Sequence, residues 1–179
     1  FTIAKAFQNN IELPTQVEKE NSNLTLDWRK RVVFRAELAP SSMNRFDCKL
    51  EVIPQRPKPK LQSKGEKLIF NNDILHVEIN TTTGLLEKYA VNGIDYLKSN
   101  AFQLLIIKDD EDPWAMNVRS FRHKIGAFSL LASEKGSQFS GLREGNIIES
   151  VRVIEDGAVR TVIEAVFGFG DSFAVQTYK

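Results

Sequence analysis

The chain of 179 residues has a single cysteine, Cys48. No intrachain disulfide can form, and the expectation is a reduced, cytoplasmic setting. It has two histidines, His76 and His123. A catalytic zinc usually takes three protein ligands, so this supply argues against a metal centre. No apolar run approaches the roughly 18 residues of a membrane span, which argues against a membrane partner. No charged segment leading into an apolar one occupies the first residues, and the glycosylation sequons at Asn23 and Asn80 are read as chance. The net charge is only +1, without the basic excess of a nucleic-acid protein. Neither a Gly-x-Ser-x-Gly elbow nor a P-loop is present. Helical periodicity is nearly absent as well.

What the chain has instead is alternation with a period of two. Leu75, Val77 and Ile79 fall on one face of a strand, with His76 and Glu78 on the other. Residues 80–84, Asn-Thr-Thr-Thr-Gly, then turn the chain, and 85–91 returns. Asn92-Gly93 is the signature of a type I′ turn before 94–97. A hairpin is expected over 147–167, turning at Asp156-Gly157, with Val159, Thr161, Ile163, Ala165 and Phe167 on one face. Further strands are expected at 11–17, 31–38, 45–53, 67–70, 102–107, 125–132 and 172–178. Many short strands separated by turns imply an all-β sandwich. The proline-rich, basic stretch 54–63 reads as an extended linker between an N-terminal β segment, 1–53, and a main β-sandwich region, 64–179. Because the last residues lie inside a strand-like run, the chain reads as a piece of a longer protein.

The residues with chemical potential are few. His76 and Glu78 share a strand face and could chelate, but the polar side of an amphipathic strand is the commoner explanation. His123 lies between Arg122 and Lys124, which disfavours a bound cation. The acidic run Asp109-Asp110-Glu111-Asp112 fails the EF-hand count: the sixth residue is Trp114 rather than glycine, and the twelfth is Ser120 rather than glutamate. Its carboxylates are also too close together to flank a glycosidic bond. They read as a solvated turn. Gly168-Phe169-Gly170 is half a dinucleotide fingerprint with no helix after it, and reads as a bulge or bend. Trp114, after Pro113, could offer a flat face to a sugar or simply cover the sandwich end. Trp28, in Asp27-Trp28-Arg29, poses the same choice.

Residues 69–97, IFNNDILHVEINTTTGLLEKYAVNGIDYL, resemble the opening of the C-terminal β region of glycoside hydrolase family 38, the α-mannosidases; the match runs through Asn71, Val77, Thr83 and Gly84. Residues 31–50, 112–122 and 149–179 look like neighbouring segments of a bacterial branch of that family. The resemblance implies an antiparallel super-sandwich like that of galactose mutarotase. It also implies a parent enzyme that cleaves α-mannosidic bonds with retention, using an aspartate nucleophile and a zinc ion. Those groups belong to the family's catalytic α/β barrel. No residue here matches their motifs, so none is assigned a catalytic or metal-ligating role. The implied partners are an α-mannoside oligosaccharide and the barrel itself. Some family members place a tyrosine on the substrate within a Ser-Gly-Ala-Tyr stretch. The nearest stretch here is Ser99-Asn100-Ala101-Phe102, and Phe102 has no hydroxyl. Either Phe102 only packs, or the branch uses the Asp112-Pro113-Trp114 loop. Asp112, Trp114 and Phe102 are thus the candidate substrate contacts. The alternatives are a stand-alone carbohydrate-binding module and a mutarotase-like epimerase, whose acid and base would have to include His76 or His123.

Overall fold

The computed structural model describes residues 1–18, 30–55, 57–98, 101–109, 111, 114, 120–140 and 145–179. Its elements are almost all strands, and every strand pair whose register is defined is antiparallel. The all-β expectation is therefore met. Contacts divide the chain into two compact units: Phe1–Lys60 with Val153–Ile163 and Tyr178–Lys179, and Leu61–Arg152 with Glu164–Thr177.

In the first unit β1 (Thr2–Gln8) is flanked by β2 (Ile11–Leu13) and, after the hairpin of β3 (Thr15–Val17) and β4 (Val32–Phe34), by β5 (Asp47–Val52). The single strand expected over 11–17 is two strands. Pro14, which has no N–H to give a ladder, separates them. Residues 153–163 are tied to β3 by one side chain. Gln16 Oε1 accepts the backbone N–H groups of Val159 (3.0 Å) and Arg160 (2.9 Å), and its Nε2 donates to Glu155 Oε2 (3.3 Å). Arg160 in turn bridges Glu155 (3.1 Å) and Glu18 (2.7 Å). Glu155 is buried, so its charge needs these partners.

In the second unit the phrase 69–97 becomes a meander. It runs from β6 (Ser63–Lys64) through β7 (Lys67–Asn71), β8 (Leu75–Asn80) and β9 (Leu86–Val91) to β10 (Ile94–Asp95), paired in chain order. Asn80 Oδ1 accepts from the N–H groups of Thr82 (2.7 Å) and Thr83 (2.9 Å), which closes the β8–β9 turn. Gly84 completes it at φ 72°, and a Cβ there would lie 2.8 Å from both Leu130 Cδ1 and Phe167 Cζ. The Asn92-Gly93 turn has both residues at positive φ, 51° and 81°, as type I′ requires. Then come β11 (Leu105–Ile107), β12 (Lys124–Ala127) and β13 (Ser129–Leu130).

One turn of helix, α1 (Ser133–Ser137), was not expected from the sequence. Five residues are too few to show a 3.6 period. The turn is pinned from outside, since Ser137 Oγ accepts the Ile148 N–H (2.8 Å) while its own hydroxyl donates back to the Ser133 carbonyl (2.5 Å). The last strands are β14 (Val151–Asp156), β15 (Thr161–Phe169) and β16 (Ser172–Tyr178), and β15 pairs with β13, β14 and β16. Thr161, Ile163, Ala165 and Phe167 share one face of β15 as expected, and Val159 lies before the strand. The opposite face is covered as well: Val162 and Val166 are buried, as are Ile163, Ala165 and Phe167. Gly168 makes room for Leu131 and Gly170, at φ 55°, makes the β15–β16 turn; their roles are clearance and reversal.

Candidate functional site

The polar side of the meander carries a connected group of charges among the described residues of the second unit. Antiparallel register puts Glu78 opposite Ile69 and Lys88, and Asn80 opposite Lys67. The β8–β9 register then shifts between Glu78 and Ile79, which leaves Glu87 as the extra residue. A bulge of this kind re-aims a side chain. Here it brings Glu87 to the polar side, where Asn80 Nδ2 donates to its Oε1 (2.7 Å). Lys67 Nζ joins Glu78 (2.7 Å) and Glu87 (2.9 Å). The hydrogen bond from Lys67 holds both carboxyls below the ordinary carboxylate range, helped at Glu78 by His76 and at Glu87 by Asn80. The same two carboxylates raise the Lys67 ammonium.

His76 Nε2 lies 2.8 Å from Glu78 Oε1. With Glu78 ionised, that nitrogen carries the proton, and in the neutral ring Nδ1 is left as an acceptor. His76 also lines an open cavity of about 240 Å³ with Asn71, Asn72, Asp73 and Lys88. The β7–β8 turn fixes the mouth of this cavity. Asn72 Oδ1 accepts from the N–H groups of Ile74 (2.9 Å) and Leu75 (2.7 Å), turning Asp73 outward into an exposed position. The lining offers amides, a carboxylate, an ammonium and an imidazole. That set can hydrogen-bond a small hydroxyl-rich molecule, and it places an acid–base group beside it.

Glu78 gives one oxygen to His76 and the other to Lys67, which leaves the pair poorly suited to a cation. Among the described residues, no group of three or more His, Cys, Asp or Glu could hold a metal ion. Nor is any helix there long and apolar enough to cross a membrane.

Of the substrate contacts named from the sequence, the described ones, Trp114 and Phe102, do not line this cavity. Asp112 is outside the described residues, as are Asp27-Trp28-Arg29, Ser99-Asn100 and Pro113. Trp114 is 81 % exposed, in the connection between β11 and β12. The Lys108 N–H donates to the His123 carbonyl (2.8 Å) at the base of that connection. Asp109, Glu111 and His123 are exposed, as a solvated loop requires. Phe102 is 58 % exposed and sits at φ 63°, a left-handed conformation that costs an aromatic residue energy. Its neighbour Ala101 bridges to Leu86 of β9.

Sequence reasoning missed Asp73 and Lys88. The run Asn71-Asn72-Asp73 carries a turn signal, but only the strand register shows that the turn and Lys88 border one cavity with His76. Comparison with known proteins finds no matching family model, no matching curated protein and no matching solved structure.

Proposed function

We propose that the chain is the β-sandwich region of an α-mannosidase of glycoside hydrolase family 38, built as an antiparallel super-sandwich of the galactose mutarotase kind. In this reading it supports a catalytic α/β barrel and lines part of the sugar cleft of a cytoplasmic enzyme. The parent hydrolyses α-mannosidic bonds with retention, and its zinc and nucleophile lie in the barrel. Asp112, Trp114 and Phe102 are its substrate contacts, and no residue of this chain is catalytic.

One observation carries the reading. The phrase that resembles the family, 69–97, forms one continuous meander in which each matched residue has a place. Val77 lies on the opposite face from His76 and Glu78, Thr83 and Gly84 make the β8–β9 turn, and Asn71 borders the polar cavity. The test is hydrolysis of an aryl α-mannoside. The chain alone gives none, with or without zinc, whereas zinc-dependent turnover by the chain would overturn the reading. In the parent enzyme, Trp114→Ala raises KM or lowers kcat.

A second reading, a mutarotase-like epimerase, is favoured by His76, which is bonded to a carboxylate beside a cavity that Asp73 also borders. Polarimetry of a freshly dissolved aldose decides it. Acceleration of anomer exchange that is lost in His76→Ala would select the epimerase.

A further inference from the structure

Phe139 and Phe173 stack with ring centroids 3.8 Å apart and planes 15° from parallel. Both remain open to solvent, at 37 % and 50 % exposure. The stack occupies one face of each ring, so the exposed surface lies on the remaining faces and edges. Beside the rings is an open concavity of about 150 Å³. Besides the rings it is lined by Leu131, by Lys135 and Gln138 from α1 and the residue that ends it, by Asp171 of the β15–β16 turn and by Ser172 at the start of β16.

We propose that this concavity is a binding site for a single pyranose ring. A pyranose has an apolar C–H face and a belt of hydroxyls. Two aromatic rings are part of the lining here, and aromatic faces suit C–H surfaces. The lining also supplies an ammonium, a carboxylate, an amide and a hydroxyl, donors and acceptors together. Because Lys135 and Asp171 bring opposite charges to one small space, the lining matches a neutral polyol better than an anion or a cation. The volume is about half the lower limit of an ordinary drug-sized pocket, a scale that suits a single ring. The aromatic part of the lining is also set before binding. The two rings brace each other, and Gly170 at φ 55° fixes the turn that presents Phe173, so little ordering remains to be done. The site stands on these residues. Only the choice of mannose as its first probe rests on the mannosidase reading.

Saturation-transfer NMR on the full chain tests it, with mannose and galactose as separate probes at millimolar concentration. Saturation reaches the sugar ring protons. The signal falls about tenfold in Phe173→Ala, and falls likewise in Phe173→Leu, which keeps apolar bulk without a ring. It persists in Phe173→Tyr and in Met43→Ala, an exposed control in the first unit. Circular dichroism identifies any variant that fails to fold. No transfer to either sugar from the folded protein overturns the proposal, as does a signal unchanged in Phe173→Ala and Phe173→Leu. A signal that falls in Trp114→Ala but not at Phe173 overturns it while leaving the mannosidase reading in place. Equal signals from galactose and mannose, both lost at Phe173, uphold the site and count against mannose as the parent's sugar.

Discussion

β5, in the first unit, and β15, whose Glu164–Phe169 stretch belongs to the second, are both unmistakable strands, yet they end in opposite environments. In β5, Asp47, Lys49 and Glu51 alternate with Cys48, Leu50 and Val52, and all six residues are exposed. In β15, Val162, Ile163, Ala165, Val166, Phe167 and Gly168 are buried. The alternation of β5 says that it has an apolar side. It does not say that anything lies against that side, and among the described residues Leu50 and Val52 remain 53 % and 80 % exposed. The near-continuous apolar run of β15 is the stronger signal, because a strand covered on both faces has no polar side to keep. The one charge inside that run, Glu164, is held by Arg152.

The largest way to break the contrast is Phe167→Ala. Phe167 is 1 % exposed, and truncation should cost about 3–5 kcal/mol, read as a fall in the urea midpoint with unchanged m-value. Next is Glu164→Ala, which strands a guanidinium only 11 % exposed and should cost about 3 kcal/mol by the same measurement. Gly84→Ala should follow at about 1–3 kcal/mol, since the new methyl meets Leu130 and Phe167 in a backbone conformation that disfavours any side chain. At the far end, Leu50→Ala should change stability by less than about 0.5 kcal/mol. A loss at Leu50 comparable with that at Phe167 would show that the apolar side of β5 is covered in solution.

A pH series sharpens the polar side of the meander. Glu78 and Glu87 titrate lower in the folded chain than in the unfolded one, so the unfolded chain binds more protons across the acid range. Their stabilisation is complete above the ordinary carboxylate pKa of 4.5 and is lost as pH falls through the depressed folded values. Glu78→Gln should therefore flatten the acid limb of the stability curve, measured by urea titration at successive pH values. An unchanged limb would mean that the Lys67 bridge contributes little in solution.

Much of the fold was legible in the chain itself. The alternation at 74–79, the Asn92-Gly93 turn and the Asn80–Gly84 turn each have a local cause, and each is present. Three features depend on distant residues and could not be read. Pro14 splits a strand only because both halves pair, β2 with β1 and β3 with β4. Helix α1 exists because Ser137 is held by Ile148. Glu87 joins the polar cluster because of a one-residue slip against β8. The candidate site was less legible than the fold. Trp114 stands out in sequence as an aromatic in a loop, whereas Phe102 was expected to open a strand over 102–107 and instead precedes β11 (Leu105–Ile107). The cavity at His76 and the ring pair Phe139–Phe173 draw on residues 12 to 34 positions apart, such as His76 with Lys88 and Phe139 with Phe173, which only the folded chain brings together.

The most direct test of the proposed function is to determine the open reading frame that encodes this chain. The account predicts a catalytic α/β barrel upstream of Phe1, carrying a His-x-Asp zinc pair, in the same polypeptide. A frame that encodes no such barrel would contradict it.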